Sequence, residues 1–429
     1  MALAPLACCL ALAGLVGLGG CGGSVLHRRS AAVQTSQPKS TQSTMPASSG
    51  SAIASDAAGR QAGRTGQGPA ALPFQALATK NTTRVPNANP LVAAADIALA
   101  TFPSAAPGTH PSAVVLASTR EWQAALAASV LMAAPIHAPI LFADGPHTLP
   151  AVTADALKQL APTGAGAIDG AQVIAVGQVP KPAGYRVASI SGVSPAALAA
   201  AIDRFASAAR GRPTPDVVVA SASHPAYAMP AAGWAAESGD PILFVDSSGV
   251  PAATAQGLLG HSRPHIYVLG PANVIPASVA AQLARYGTVK RIGASVRDPA
   301  ANSVTFAEYR DPPCVYEQPC AHLPGSFGWA IRSPGHGYTL INASDTLDAA
   351  AAAPLSGSAD FGPELLIEKS TTLPSSVMSY LLNYATPGYT GEGPTAAVYN
   401  HAWLIGSPAQ ISLEVQAQVD QVLQAVPQR

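Results

Sequence analysis

DVVVASASHPAYAMPAAGWAAESGDPILFVD, residues 216–246, runs from one apolar β-branched stretch through an Ala-rich segment into a second, PILF. The chain writes this unit three times. AVVLAS (113–118), DVVVAS (216–221) and YTLINAS (338–344) each begin a copy, and HAPILFAD (137–144), GDPILFVD (239–246) and GPELLIEK (362–369) follow. Ser118, Ser221 and Ser344 precede Pro139, Pro241 and Pro363 by 21, 20 and 19 residues. Those prolines precede Pro150, Pro251 and Pro374, each after a hydrophobic residue, by 11, 10 and 11. Each copy closes on a β-rich run ending at Gly177, Gly270 or Gly406. Registers this close mark one supersecondary unit repeated in tandem.

Strands such as VVVA and PILFV are apolar without alternation, as when both faces of a parallel sheet are covered. Ala-rich stretches of helical length separate them. Further helices are expected over 89–102, 194–208 and 298–309, where Asn89, Ser194 and Asp298 each precede a proline, a cap followed by proline in the first turn. Strand–helix alternation predicts α/β modules with mostly parallel sheets and right-handed crossovers. Arg84-Val85, Arg186-Val187 and Arg291-Ile292 recur at the head of the units and divide the chain into 84–185, 186–290 and 291–429, the last with an insertion over 310–337.

Residues 1–20 are uncharged and apolar and lead into Leu18-Gly19-Gly20-Cys21. This resembles a bacterial lipoprotein signal, cut before Cys21, whose thiol would carry the lipid; an uncleaved membrane span is the alternative. Ser, Thr, Gly, Pro and Gln dominate 22–83, which cannot bury enough apolar surface to offset ordering entropy and reads as a tether. Cys314 and Cys320 share one Pro-rich loop. In an exported chain they are expected to form a local disulfide, with free or metal-bound thiols as the other readings.

Only 11% of residues are charged, with 23 basic and 23 acidic. The basic excess sits in 22–83, with six against one, and in 186–290, with seven against five, while 291–429 carries six against twelve. No concentrated basic face or motif points to nucleic acid. The chain has no HExxH, GxSxG or paired CxxC, and GAGAIDG (164–170) follows a helix and has GxGxxxG spacing, so neither a nucleotide nor another cofactor is expected. Asp345 and Asp348 stand near a helix start and read as a cap and a first-turn charge. Trp122 and Trp234 fall on Ala-rich helices and are expected in the core or between modules, whereas Trp329, in GSFGWAIRSPGHGY, is expected at the surface, where it could stack on sugar.

The order Arg-hydrophobic-x-Gly (RIGA, 291–294), helix, VVLAS, Ala-rich helix, PILF, Leu-Pro and Val-Leu-Gly strand resembles the cell wall-binding repeat 2 family over about 84–426. The resemblance implies three Rossmann-like modules around a pseudo-threefold axis and non-covalent binding of an anionic wall polymer. It associates binding with PILF, carried over to Pro139, Ile140, Leu141 and Phe142 and to Pro241, Ile242, Leu243 and Phe244, with 363–366 as a degenerate copy. Arg84, Arg186 and Arg291 either face polymer phosphate or carboxylate groups or tether neighbouring modules. Taken together, these readings predict a lipid-anchored, extracytoplasmic, non-enzymatic binding protein at the cell wall. A solute-receptor-like lipoprotein is the alternative, and an envelope hydrolase a weaker one.

Overall fold

The computed structural model describes residues 77–311, 327–359, 362–389, 398–424 and 426–427. Cys21, residues 1–76, Cys314 and Cys320 lie outside them.

Three parallel sheets carry the fold. The first is ordered β4-β3-β5-β6, with β3 (Val114–Ser118), β4 (Ile140–Ala143), β5 (Val173–Val176) and β6 (Val187–Ile190). The second is ordered β10-β9-β7-β8, from β7 (Asp216–Ser221), β8 (Ile242–Val245), β9 (His265–Leu269) and β10 (Thr288–Ile292). The third is ordered β1-β2-β14-β11-β12, with β1 (Leu77–Ala78), β2 (Thr82–Val85), β11 (Gly337–Asn342), β12 (Glu364–Ile367) and β14 (His401–Ile405). β1 pairs antiparallel to β2; every other pairing in the three sheets is parallel. A short pair, β13 (Gly388–Tyr389) with β15 (Val426–Pro427), stands apart.

The sheets cross the boundaries drawn at 84, 186 and 291. β6 pairs with β5 and β10 with β9, so the strand heading each sequence unit completes the sheet of the unit before it. β2 does the same for the last unit, pairing in parallel with β14. The N-terminal strand thus closes the C-terminal sheet, and the three units form a ring. The helix after each such strand reaches into the next unit. α1 (Pro90–Thr101) packs on α3 (Ala151–Leu160) and β4, and α4 (Pro195–Arg210) on α7 (Ala252–Leu259) and β8. α9 (Pro299–Glu308) packs on β12 and α11 (Ser375–Tyr380). Their caps form as the sequence requires: Asn89, Ser194 and Asp298 accept from the N–H groups of Leu91, Ala197 and Ala301, each with proline at the helix start. α12 (Leu413–Val422) packs on β14 and β2 of the third sheet, and α8 (Ala277–Leu283) follows β9 with Val279 and Leu283 buried.

At the middle, α2 (Trp122–Ala128), α6 (Ala231–Ser238) and α10 (Thr346–Pro354) pack on one another, with the 3-10 turn Ser129–Met132 and the π turn Leu355–Ala359 between them. Alanine dominates these helices because their axes approach closely. At Gly233 a methyl group would meet Ser356 Oγ at 2.6 Å. In the second unit a short helix, α5 (Pro225–Ala228), precedes α6.

Strand register corrects the third copy. Ser118 pairs with Ala143 and Ser221 with Val245, but Asn342, two residues before Ser344, pairs with Ile367. Counted from Asn342, Pro363 is 21 residues on, in line with the other copies. Turn chemistry agrees, since Ser118 Oγ, Ser221 Oγ and Asn342 Oδ1 each accept from the N–H two residues later, at 3.2, 3.3 and 3.0 Å. A second correction concerns Trp329, which is 1% exposed. It packs edge-on to Trp234 at 5.3 Å, and Phe327 stacks on Tyr267 at 3.5 Å, so the far arm of the insertion plugs the core. Trp122 and Trp234 lie as expected: Trp122 meets Phe244 of the second unit edge-on at 5.6 Å, and Trp234 is fully buried.

Candidate functional site

In each sheet the chain leaves its first strand for one side and returns on the other. A crevice opens between those two strands at their C-terminal ends, where open α/β sheets bind ligands. Three equivalent crevices therefore exist, after β3, β7 and β11, and the residue three positions beyond the strand's last is Glu121, His224 or Asp345, each at a helix N-cap.

In the first two crevices side chains approach the backbone closely. Gly177 follows β5 at φ +72°, and a methyl group there would strike Glu121 Oε2 at 2.6 Å and Leu198 Cδ2 at 3.2 Å. Glycine is required both for that backbone conformation and for the approach of the Glu121 side chain. In the second crevice, the Tyr227 ring and Val274 lie at 3.1 and 3.3 Å from the corresponding point on Gly270.

In the third, a cavity of about 270 Å³ is lined by Ala88, Pro90, Ser344, Asp345, Thr346, Leu347, Asp348 and Gln410. Asp345 heads α10 but does not cap it; instead Gln410 Nε2 donates to its Oδ2 at 2.8 Å. Gln410 Oε1 in turn accepts from Ser407 N–H at 2.8 Å, which fixes the amide. Asp348 is 2% exposed, and its Oδ2 makes no hydrogen bond. Burial pushes this carboxyl up to about 8, and the neighbouring Asp345 adds to the rise. Both aspartates stand at the start of α10 as the sequence suggests, Asp345 at the N-cap position and Asp348 in the first turn, but the Asp345 side chain bonds across the crevice instead of capping the helix.

The residues singled out in the sequence do not gather here. Ile140, Leu141, Phe142, Ile242, Leu243 and Phe244 are core strand residues at 0–1% exposure, and Pro139 and Pro241 are buried. The carbonyls of Phe142 and Phe244 accept from Thr153 and Thr254 hydroxyls at 2.7 and 2.6 Å, so the threonine three residues after Pro150 or Pro251 pins the next helix onto the strand. Arg84 is fully buried and donates to Gln416 Oε1, Gly406 O and Ser412 O at 2.9, 2.8 and 3.3 Å. Arg291 donates to Gly270 O and Ile275 O, both at 2.7 Å. These two hold the incoming strand to the loop beyond the neighbouring strand, which is the tethering role. Arg186, by contrast, is exposed. What sequence reading missed is Gln410, five residues beyond β14; the third strand's Gly-Ser-Pro loop was the only local signal for it.

Residues 189–280 match the family model of cell wall binding domain 2 (CWB2), the family that the motif order resembles. No curated protein matches the chain. Among solved structures, Cwp8 from Clostridium difficile superposes with a TM-score of 0.59 at 15% identity, covering 80% of this chain and 52% of that one. Cwp6 from Clostridium difficile gives 0.59 at 14% identity, covering 80% and 48%. The chain thus spans about half the length of these structures, and the likeness is one of fold: tandem Rossmann-like modules built on mostly parallel sheets. The matched stretch runs from β6 to α8 and contains the whole of the second crevice.

Proposed function

We propose that this is a cell-envelope protein that binds cell-wall polymer non-covalently through its ring of three units and is anchored by lipid at Cys21, with the part of 22–83 ahead of β1 as tether. Residues 77–78 and 82–83 are strand residues of the third sheet and not tether as the composition suggested. The observation that carries the reading is the cell wall binding domain 2 match over 189–280, in a unit whose frame is repeated on either side. Because the PILF side chains and Arg84 are buried, polymer contact falls to the loops beyond the strands and to exposed cations such as Arg186. Three equivalent loop sets on one body suit a repeating polymer, since each contact after the first gains from effective concentration. A solute receptor needs two lobes and a hinge; strand exchange around three units favours a rigid body instead.

The test is sedimentation of the full chain with purified wall material, in low and high salt. Binding that weakens as salt screens the contacts supports the reading, and no binding at low salt defeats it. The anchor is tested separately: Cys21→Ala should leave the chain unprocessed and without a diacylglycerol label. Unchanged membrane retention with an intact N-terminus would identify an uncleaved span.

A further inference from the structure

The third crevice differs from its two counterparts in chemistry. At the position of Asp348 the first unit has Ala124 and the second Tyr227; at that of Gln410 the second has Val274. Two unrelated side chains approach the backbone in the other crevices, a glutamate and an aromatic ring. The third lines a cavity, and among its lining residues is Asp348, a buried side chain with one oxygen that makes no hydrogen bond; in the first crevice the comparable oxygen, Glu121 Oε2, is packed against Gly177 and Leu198 instead. A buried polar atom without a partner is costly, and that of Asp348 sits where the fold class places ligands.

We propose that this cavity binds a small organic ammonium group, with Asp348 and Asp345 as its counter-charges and Ser344 and Gln410 contacting hydroxyls beside it. Two carboxyl groups about one opening repel an anion. A divalent cation is served poorly: calcium takes six to eight oxygens and magnesium an octahedron, and among the described residues no three His, Cys, Asp or Glu side chains gather as a metal site. An ammonium group carries three donors and one charge, which suits one free Asp348 oxygen plus the Asp345 carboxylate. The walls from Ala88, Pro90 and Leu347 are aliphatic and suit the carbon body of an amino sugar or similar amine. This site is independent of the wall-polymer reading and can fail without it.

Binding has a proton signature. Asp348, raised to about 8, is largely protonated at pH 7 and must ionise to pair with the cation. Of the groups around it, Asp345 acts on it electrostatically. Among the elements packed on α10, α1 carries Asp96, whose carboxyl is engaged by Asn87 Nδ2, while α6 carries Glu237 and α2 starts after Glu121. β11 carries Tyr338, and β4 and the two central turns carry no titratable side chain.

The experiment is calorimetric titration of the full chain at pH 7, in two buffers of different ionisation enthalpy. The probes are 2-aminoethyl β-glucoside, its N-acetyl derivative and calcium chloride. The amine should bind with release of close to one proton, as expected for a carboxyl whose midpoint lies about one pH step above the working pH, and the acetylated probe at least ten-fold more weakly. Asp348→Asn should weaken binding by ten-fold or more and abolish the proton release while keeping or raising the melting temperature. Asp345→Asn, at the half-buried rim, should also weaken binding, and it serves if the first variant misfolds. Absence of amine binding, equal binding of the acetylated probe, or displacement of the amine by calcium would each overturn the proposal. So would indifference to both substitutions.

Discussion

Arg84 Nη1 donates to the carbonyl of Gly406 at 2.8 Å across 322 positions of sequence, and with that contact the first described strands and the last unit become one structure. The guanidinium has no acid beside it, and burial lowers it to about 10, so it is held by neutral acceptors alone. The repeated arginines are therefore graded by how far each is built into the ring. Arg84→Ala strands three buried acceptors and should cost about 3 kcal/mol or more. Arg291→Ala, with two acceptors in a half-buried setting, should cost about 1–2 kcal/mol. Arg186→Ala, at the surface, should stay within about 0.5 kcal/mol. Denaturant midpoints measure the series, and an equal effect at all three would refute the grading.

Ring closure makes a second expectation. Removing residues 77–85 deletes only two short strands, yet it bares the edge of β14 from Ala402 to Ile405. An exposed, apolar parallel edge is a template for self-association, so the truncated chain should aggregate or lose the third unit cooperatively. Fusing Thr82–Val85 with a linker to the C-terminus should restore a monomer, because the pairing needs the strand and not its original covalent neighbour. Light scattering distinguishes the outcomes; a monodisperse, stable truncation would show that β2 contributes little.

Trp329 carries a third. Its ring packs edge-on to Trp234 in the centre of the molecule. Trp329→Ala should cost about 3–5 kcal/mol, the usual range for truncating a large buried aromatic, and should diminish the near-ultraviolet circular dichroism arising from the pair. A change within 0.5 kcal/mol, as for a surface residue, would place this arm outside the core.

The repeat was legible because core strands in a parallel sheet admit little beyond Val, Ile, Leu and Ala, so VVLAS and PILF survive as recognisable strings. Strand exchange was not, for a physical reason. Arg84-Val85, Arg186-Val187 and Arg291-Ile292 mark the same structural position whether the strand belongs to the unit ahead or behind, and pairing partners leave no local trace. Trp329 was misplaced because glycines and prolines around it read as a surface loop, whereas its burial depends on Trp234, far away in sequence. The crevice was hidden for a similar reason. Asp345 and Asp348 have helix-start spacing, and only the approach of Gln410 across the sheet shows that the Asp345 side chain does not cap.

Protonation of buried acids gives the last expectation. Burial raises Asp96 to about 6, Asp240 to about 7 and Asp348 to about 8, and it pushes Glu364 well above its ordinary value. Each of these groups holds a proton in the folded state that the unfolded chain gives up near pH 4. Their contribution is full below that pH and is lost as pH rises through the folded values, at about 1.4 kcal/mol per group for each pH step within the gap. His261 acts in the same sense: burial, the largest single influence, opposes its charge, but the bond to Asp203 at 2.9 Å and that residue's charge, with the Thr214 carbonyl and Asp240, together raise it, so its contribution also fades with rising pH. Asp311 opposes them, since burial is outweighed by Lys290, Tyr267 and Tyr309, which lower it, and its contribution is lost on acidification. The melting temperature should therefore peak on the acid side of neutrality and fall steadily from about pH 6 to pH 9. Glu364→Gln keeps the shape of a fully buried side chain and removes its titration. That variant should match the wild type near pH 5, exceed it at pH 8 to 9 and show a flatter decline. A wild-type melting temperature that rises between pH 6 and pH 9, or a Glu364→Gln profile parallel to it, would mean that these acids are ionised in the folded protein.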